Sequence, residues 1–326
     1  MGRVVAVTGG TGFLGGGLVR ELLKRGSPVR VLTRRAEAAK RFPPGVVEIW
    51  PGDLSDPSTL SGFVDGADTI YHAAGEIRNP RRYWAVNAVG TADLLHAARA
   101  AGVRRFLYLS SVGVTGASGA AGRVNETTPA RPRNAYEASK YAGEEAVLRS
   151  QEAGGLQVSI VRPAIVFGEG RDPRADRFLP LVKMVQRGHF ALLGEGYISN
   201  YTYLGDVVGA CLTVAAHPET GGQIYAINEP LPWTVFVNEL ATQLGVRRPG
   251  LVPRPFGTLG ARLLQWSGRF GSLYNRTVFA MDKLTALGFQ LPHGYRQGLA
   301  RTIAWYRQAG RLPREAGPDR GEGREP

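Results

Sequence analysis

Tyr136 and Lys140, in the run Tyr136-Glu137-Ala138-Ser139-Lys140, offer the clearest chemistry in the chain, because residues four apart on a helix project from one face. An ammonium beside a phenol favours the phenolate, drawing its pKa from roughly 10 toward neutrality, as a hydroxyl that exchanges a proton requires. Ser110 and Ser111 close an apolar run at 105–109, where a hydroxyl would hydrogen-bond a reacting oxygen as its charge develops. Tyr136 would then move the proton while a serine orients the oxygen. Residues 116–120 depart from the nucleophile-elbow pattern at their last position, which argues against a hydrolase.

Such groups need a scaffold, and residues 8–15, Thr-Gly-Gly-Thr-Gly-Phe-Leu-Gly, announce one. Val4 to Val7 read as a strand buried on both faces, and Leu14, Leu18, Leu22 and Leu23 recur at helical spacing after the glycines. Gly9, Gly12 and Gly15 would let the backbone turn tightly and approach a pyrophosphate, whose charge faces the positive end of the helix. Strands are expected at 4–7, 29–32, 46–50, 68–72, 105–109 and 157–161, with helices near 13–25, 84–101 and 136–153. This alternation predicts an α/β fold, a Rossmann-type doubly wound parallel sheet with a smaller C-terminal substrate lobe. Residues 1–163 form the dinucleotide-binding domain, to which 205–228 return; 164–204 and 229–310 form the lobe, and 311–326 a disordered tail.

The composition removes several function classes. Cys211 is the single cysteine and the five histidines lack ligand spacing, so neither a disulfide nor a metal site is expected. The net charge of +13 is almost all arginine, since only five of 40 basic residues are lysine. These arginines are scattered rather than gathered in a stripe, so nucleic acid is not an expected partner. No uncharged stretch is long enough to span a bilayer, and the first strand begins too near Met1 for a signal peptide, so a cytoplasmic location is expected. Peripheral membrane contact through the mixed Leu, Trp, Phe and Arg segment 256–273 is weighed against its packing over the lobe, and packing is preferred.

The chain resembles the extended short-chain dehydrogenase/reductase family, also called the NAD-dependent epimerase/dehydratase family, over residues 1 to about 310. The matching pieces are TGGTGFLG (8–15), GDL (52–54), HAAG (72–75), VNAVGT (86–91), LSSVGVTG (109–116), YEASK (136–140), VRPAIVFG (161–168) and YTYLGDVV (201–208). The resemblance implies a Ser111, Tyr136, Lys140 triad, with Ser111 preferred over Ser110 by alignment of the closing glycine of LSSVGVTG. It also implies a cofactor site of Gly9, Thr11, Gly12, Phe13, Leu14 and Gly15, with Asp53 and Leu54 flanking the adenine. Ala73, Ala74 and Gly75 would line the cofactor, Lys140 would hold its ribose, Asn87 would support the site, and Pro163 and Val166 would lie near the nicotinamide. A two-fold homodimer through the helices at 84–101 and 136–153 is implied too, with Leu94, Leu95, Ala98, Ala138, Ala142 and Ala146 as apolar faces.

The second strand runs into Thr33-Arg34-Arg35 where an NAD-selective fold places an acid, so Arg34 and Arg35 would bind the 2′-phosphate of NADP, with NAD possible. Ser111-Val112-Gly113 lacks the acid pair of the sugar 4,6-dehydratases, and Ile165 replaces an asparagine common in nucleotide-sugar epimerases. The segments at 162–170 and 194–208 look more like the 3β-hydroxysteroid dehydrogenase and dihydroflavonol reductase-like branch. This implies hydride exchange with a carbonyl or secondary alcohol on a small, comparatively apolar molecule, with Phe167, Phe178, Leu192, Tyr197 and Tyr201 as an apolar pocket. A nucleotide-sugar epimerase with retained cofactor and a non-catalytic dinucleotide sensor are the alternatives.

Overall fold

A computed structural model describes residues 3–116, 122–252 and 276–313. The segment 256–273 and residues 314–326 of the expected tail lie outside the described residues. The first half runs through β1 (Val4–Thr8), α1 (Phe13–Lys24), β2 (Val29–Thr33), β3 (Val47–Pro51), α2 (Leu60–Val64), β4 (Ala67–His72), α3 (Gly90–Ala100) and β5 (Arg105–Leu109). Then come β6 (Gly122–Val124), α4 (Ala135–Glu152), β7 (Gln157–Pro163), β8 (Ile165–Phe167), α5 (Leu179–Gln186), β9 (Ile198–Ser199), β10 (Tyr201–Tyr203) and α6 (Leu204–Ala216). The last described elements are β11 (Gln223–Ile227), β12 (Leu231–Pro232), α7 (Trp233–Leu244), β13 (Thr277–Phe279), α8 (Asp282–Ala286) and α9 (Gly294–Gln308).

Seven strands in the order β3-β2-β1-β4-β5-β7-β11 form one parallel sheet, the Rossmann-type doubly wound architecture. The apolar runs make this possible, because a strand with helices on both faces has no solvent side to keep polar. Leu18 and Leu22 of α1 and Val207 and Cys211 of α6 pack on one face; Phe63 of α2, Leu94 of α3 and Val147 of α4 pack on the other. Winding proceeds from β1 toward β3, then reverses to β4 on the opposite side. The carboxyl ends of β1 and β4 therefore flank a crevice at the switch point, where open α/β sheets bind ligands.

Three details differ from the sequence expectation. The helix expected over 84–101 begins as a π-helix, Trp84–Val89, before α3. Leu94, Leu95 and Ala98, expected on an intersubunit face, are buried in the chain's own core, because the apolar stripe of α3 covers the sheet. Residues 311 and 312, assigned to the expected tail, are packed against α9: Leu312 is buried and the Arg311 amide donates to the Tyr306 carbonyl. No helix among the described residues is long and apolar enough to cross a membrane.

Beyond β7 the chain builds short sheets, β8 with β10, β9 with β12, and β6 with β13. Phe167, Phe178, Tyr201, Trp233 and Phe236 stack and tilt against one another with ring centroids 4.8 to 6.4 Å apart. These rings, together with Leu192 and Tyr197, are core, not the lining expected of a pocket, because they bury one another.

Candidate active site

The glycine turn at the switch point is shaped by close approaches. Gly9 has φ +68°, and a Cβ there would lie 2.7 Å from the Ala74 amide nitrogen, so the β1 turn and the end of β4 touch backbone to backbone. A Cβ on Gly15 would lie 2.2 Å from the Gly9 carbonyl oxygen, which explains why α1 can start directly above the turn. No side chain caps α1 at Gly12, and its first turn holds no acid. Its positive end with donors of the first turn thus faces the crevice, a cradle that fits a dinucleotide pyrophosphate. Thr11, Phe13 and Leu14 belong to this same turn, and Arg41 Nη1 donates to the Thr11 carbonyl at 2.7 Å. Sequence reasoning missed Arg41, which no motif marks.

Next to the cradle, Ala73, Ala74 and Gly75 leave the end of β4, and a Cβ on Gly75 would lie 3.4 Å from Asn87 Oδ1 and 3.9 Å from Lys140 Nζ. Asn87, on the π-helix, accepts from the Glu76 amide (2.7 Å) and donates to the Glu76 carbonyl (3.1 Å) and Ser139 Oγ (3.0 Å). It clamps the loop after β4 to α4. Beneath it runs a buried relay that the sequence did not reveal. Thr91 Oγ1 donates to the Asn87 carbonyl (2.8 Å), so it must accept from His72 Nε2 (2.9 Å). His72 Nδ1 then accepts from Thr8 Oγ1 (2.6 Å), which in turn accepts from the Ala74 amide (3.2 Å). Burial, with Lys140 adding to it, pushes the imidazole down to about 3, keeping it in the neutral form the relay needs.

Asn134 caps α4 by accepting from the Glu137 amide at 2.9 Å, and this places Tyr136 in the first turn of the helix. The Tyr136 ring meets Tyr83 edge-on at 5.7 Å. Lys140, one turn on, is buried; its Nζ donates to the Leu109 carbonyl at 2.7 Å and stands 4.0 Å over the Tyr108 ring. Burial draws Lys140 down to about 7, against the pull of Glu144. The lowering of the Tyr136 pKa expected from Lys140 is not found. Burial pushes the phenol up to about 12, Tyr83 and Glu137 add to the rise, and Arg177 opposes it. Burial outweighs every charge near the phenol, while the Lys140 ammonium is bonded to the Leu109 carbonyl at the end of β5.

Ser110 and Ser111 differ more than their sequence suggests. The Ser110 amide continues the sheet by donating to Val161, and its Oγ is buried without a hydrogen-bond partner among the described residues. Ser111 Oγ accepts from the Gly113 amide at 3.1 Å, capping a 3₁₀ turn, and its side chain is half-buried.

At the adenosine end, Asp53 Oδ2 lies 2.9 Å from Arg82 Nη2 and 3.8 Å from Arg34 Nη1. Burial opposes the charge on Asp53, but the Ser55 amide and Arg82 hold its carboxyl below the ordinary value. An acid absent from the end of β2 is thus brought to Arg34 from the end of β3, while the exposed Arg35 side chain has no partner among the described residues. Leu54 is buried beside Asp53, and Pro163 and Val166 are buried at the ends of β7 and on β8.

Residues 5–228 match the model of the NAD dependent epimerase/dehydratase family. A 3 beta-hydroxysteroid dehydrogenase/Delta 5→4-isomerase of Mycobacterium tuberculosis is 34% identical over 256 residues, covering 72% of this chain and 67% of that protein. A ceramide reductase of Caulobacter vibrioides is 30% identical over 334 residues, covering 95% of this chain and 96% of the relative. Among solved structures, the Thermus thermophilus UDP-glucose 4-epimerase in complex with NAD superposes with a TM-score of 0.73 at 27% identity, covering 94% of this chain and 99% of its own.

Proposed function

The chain belongs to the NAD dependent epimerase/dehydratase family and is an oxidoreductase of the extended short-chain type; on that premise we propose that it exchanges hydride with a carbonyl or secondary alcohol of a small, comparatively apolar molecule. The observation that carries this reading is the placement of Tyr136 and Lys140 one turn apart on α4, with Lys140 anchored at the end of β5 beside the switch-point crevice. The names of the relatives agree, since a hydroxysteroid and a ceramide both present a polar oxygen on an apolar body.

A bound nicotinamide dinucleotide supplies the hydride donor or acceptor. The donors at the start of α1 would hold its pyrophosphate, Asp53 and Leu54 would flank its adenine, Ala73 to Gly75 would line it, and Lys140 would hold its ribose. Pro163 and Val166 would pack at the nicotinamide end, and Asn87 keeps Gly75 and α4 in register. Tyr136, a neutral phenol in this environment, donates its proton to the substrate oxygen in reduction and takes it back in oxidation. Ser111 orients that oxygen. If so, Ser111→Ala lowers turnover more than Ser110→Ala; the reverse order in steady-state rates would transfer the role to Ser110.

The preferred cofactor is NADP, held at its 2′-phosphate by Arg35 together with Arg34. Replacing both by uncharged residues should shift selectivity toward NAD by at least about tenfold, the loss of one charge-assisted hydrogen bond, and more at low salt. Titrating both cofactors into wild type and the double variant measures this. Equal losses for the two would reduce these arginines to surface charge.

The deciding experiment for the whole reading is a screen of sterols, other long-chain alcohols and ketones, flavonoids and nucleotide sugars with both cofactors, followed by absorbance of the reduced nicotinamide. Turnover of apolar alcohols or ketones is expected. Conversion of a nucleotide sugar alone, with no net change in the cofactor, would replace this reading with the epimerase.

A further inference from the structure

We infer that Glu144, anchored by Arg162, is a positioning residue that holds the Lys140 side chain in its charged form at the floor of the active site. This inference rests on the reading of Lys140 as part of the proton-handling machinery.

Lys140 and Glu144 stand four residues apart on the buried face of α4. From β7, Arg162 grips the Glu144 carboxylate with both arms of its fork, Nε to Oε1 at 2.8 Å and Nη2 to Oε2 at 2.6 Å. The side chains are 5% and 1% exposed. A buried ion pair adds little net stability over apolar side chains of the same volume, so packing alone does not call for charge here. What the carboxylate supplies is a negative potential fixed in place, one helical turn from an ammonium that is itself almost out of water.

The other groups around Lys140 do not supply that potential. Leu109 offers a carbonyl and Tyr108 a ring face from β5. His72, on β4, is neutral, and Tyr136, on α4, is a protonated phenol. Gly75 brings backbone only, and Arg162, from β7, is a cation. Glu137, also on the buried face of α4, is bonded to the Arg133 amide; Glu144 is the anion that acts on Lys140, against the burial that drives the proton off.

The chain holds only five lysines, Lys24, Lys40, Lys140, Lys183 and Lys283, so lysine labelled with ¹³C at Cε gives five NMR signals that can be titrated individually. Two variants are compared with wild type: Glu144→Gln, and the double variant Glu144→Met with Arg162→Met, which leaves no unpaired buried charge. Loss of the carboxylate should lower the Lys140 midpoint by about one pH unit or more in Glu144→Gln and by less in the double variant, where the Arg162 cation leaves with it, with the other four signals unmoved. Glu144→Asp should restore part of the shift. An unchanged midpoint in both variants would overturn the inference. So would a rise toward the ordinary lysine value, because that marks loosened packing and entry of water, the signature of a merely structural role. The titration uses neither substrate nor cofactor, so failure of the oxidoreductase reading appears separately, as turnover indifferent to Tyr136.

Discussion

Replacement of Tyr136 by phenylalanine is expected to lower turnover by roughly 10²–10⁴-fold, the worth of a positioned acid–base group. Affinity for the dinucleotide should be unchanged. The reason for the split is local: the substitution removes one hydroxyl from a ring whose edge-on meeting with Tyr83 at 5.7 Å is apolar and survives. The cradle at Gly9 to Gly15 and the Asn87 clamp do not involve that hydroxyl. Steady-state kinetics on a substrate from the screen, with cofactor titration by fluorescence, separates the two effects. A loss smaller than about tenfold would remove Tyr136 from the proton-transfer role.

The second large effect is expected at the turn. In Gly15→Ala the new Cβ falls 2.2 Å from the Gly9 carbonyl oxygen and 2.6 Å from its carbon. Both are backbone atoms, so no rotamer relieves the overlap, and the start of α1 must move away from the end of β1. A pyrophosphate held by two donors at that helix end, each worth about 1.5–3 kcal/mol, would then bind on the order of 100-fold more weakly or worse. Overpacking should also cost about 1–3 kcal/mol of stability. Gly16→Ala is the matched control, because its Cβ approaches the Gly10 carbonyl oxygen only to 3.3 Å. Dinucleotide titration and thermal unfolding of both variants provide the measurement. Wild-type affinity in Gly15→Ala would mean that the pyrophosphate does not rest on this turn.

The pH behaviour of the site follows from packing rather than composition. Lys140, drawn down to about 7 by burial, binds fewer protons when folded than when unfolded between that value and the ordinary lysine range. Its contribution therefore makes the folded state more stable as pH rises through that window. Its charge, by contrast, is lost in the same interval, so activity and stability should part company above neutrality.

Much of the fold was legible in the sequence because it depends on near neighbours. Val4 to Val7, the glycine turn and the leucines of α1 encode strand, turn and helix within two dozen residues, and the alternation repeats far enough to require a parallel, doubly wound sheet. Helical arithmetic alone puts Tyr136 and Lys140 on one face. Which group each one meets is a different matter, decided by crossovers that bring distant segments together. The carboxyl end of β5 captures Lys140, and Asp53 reaches Arg34 across the sheet edge from β3. The Thr8–His72–Thr91 relay joins β1, β4 and α3. The same long-range packing turned the aromatic residues of the lobe and the leucines of α3 into core. It also raised the Tyr136 pKa that helix spacing alone would lower. Spacing fixes direction along one helix, whereas desolvation and charge pairing belong to the whole packed chain, and only the tertiary structure settles them.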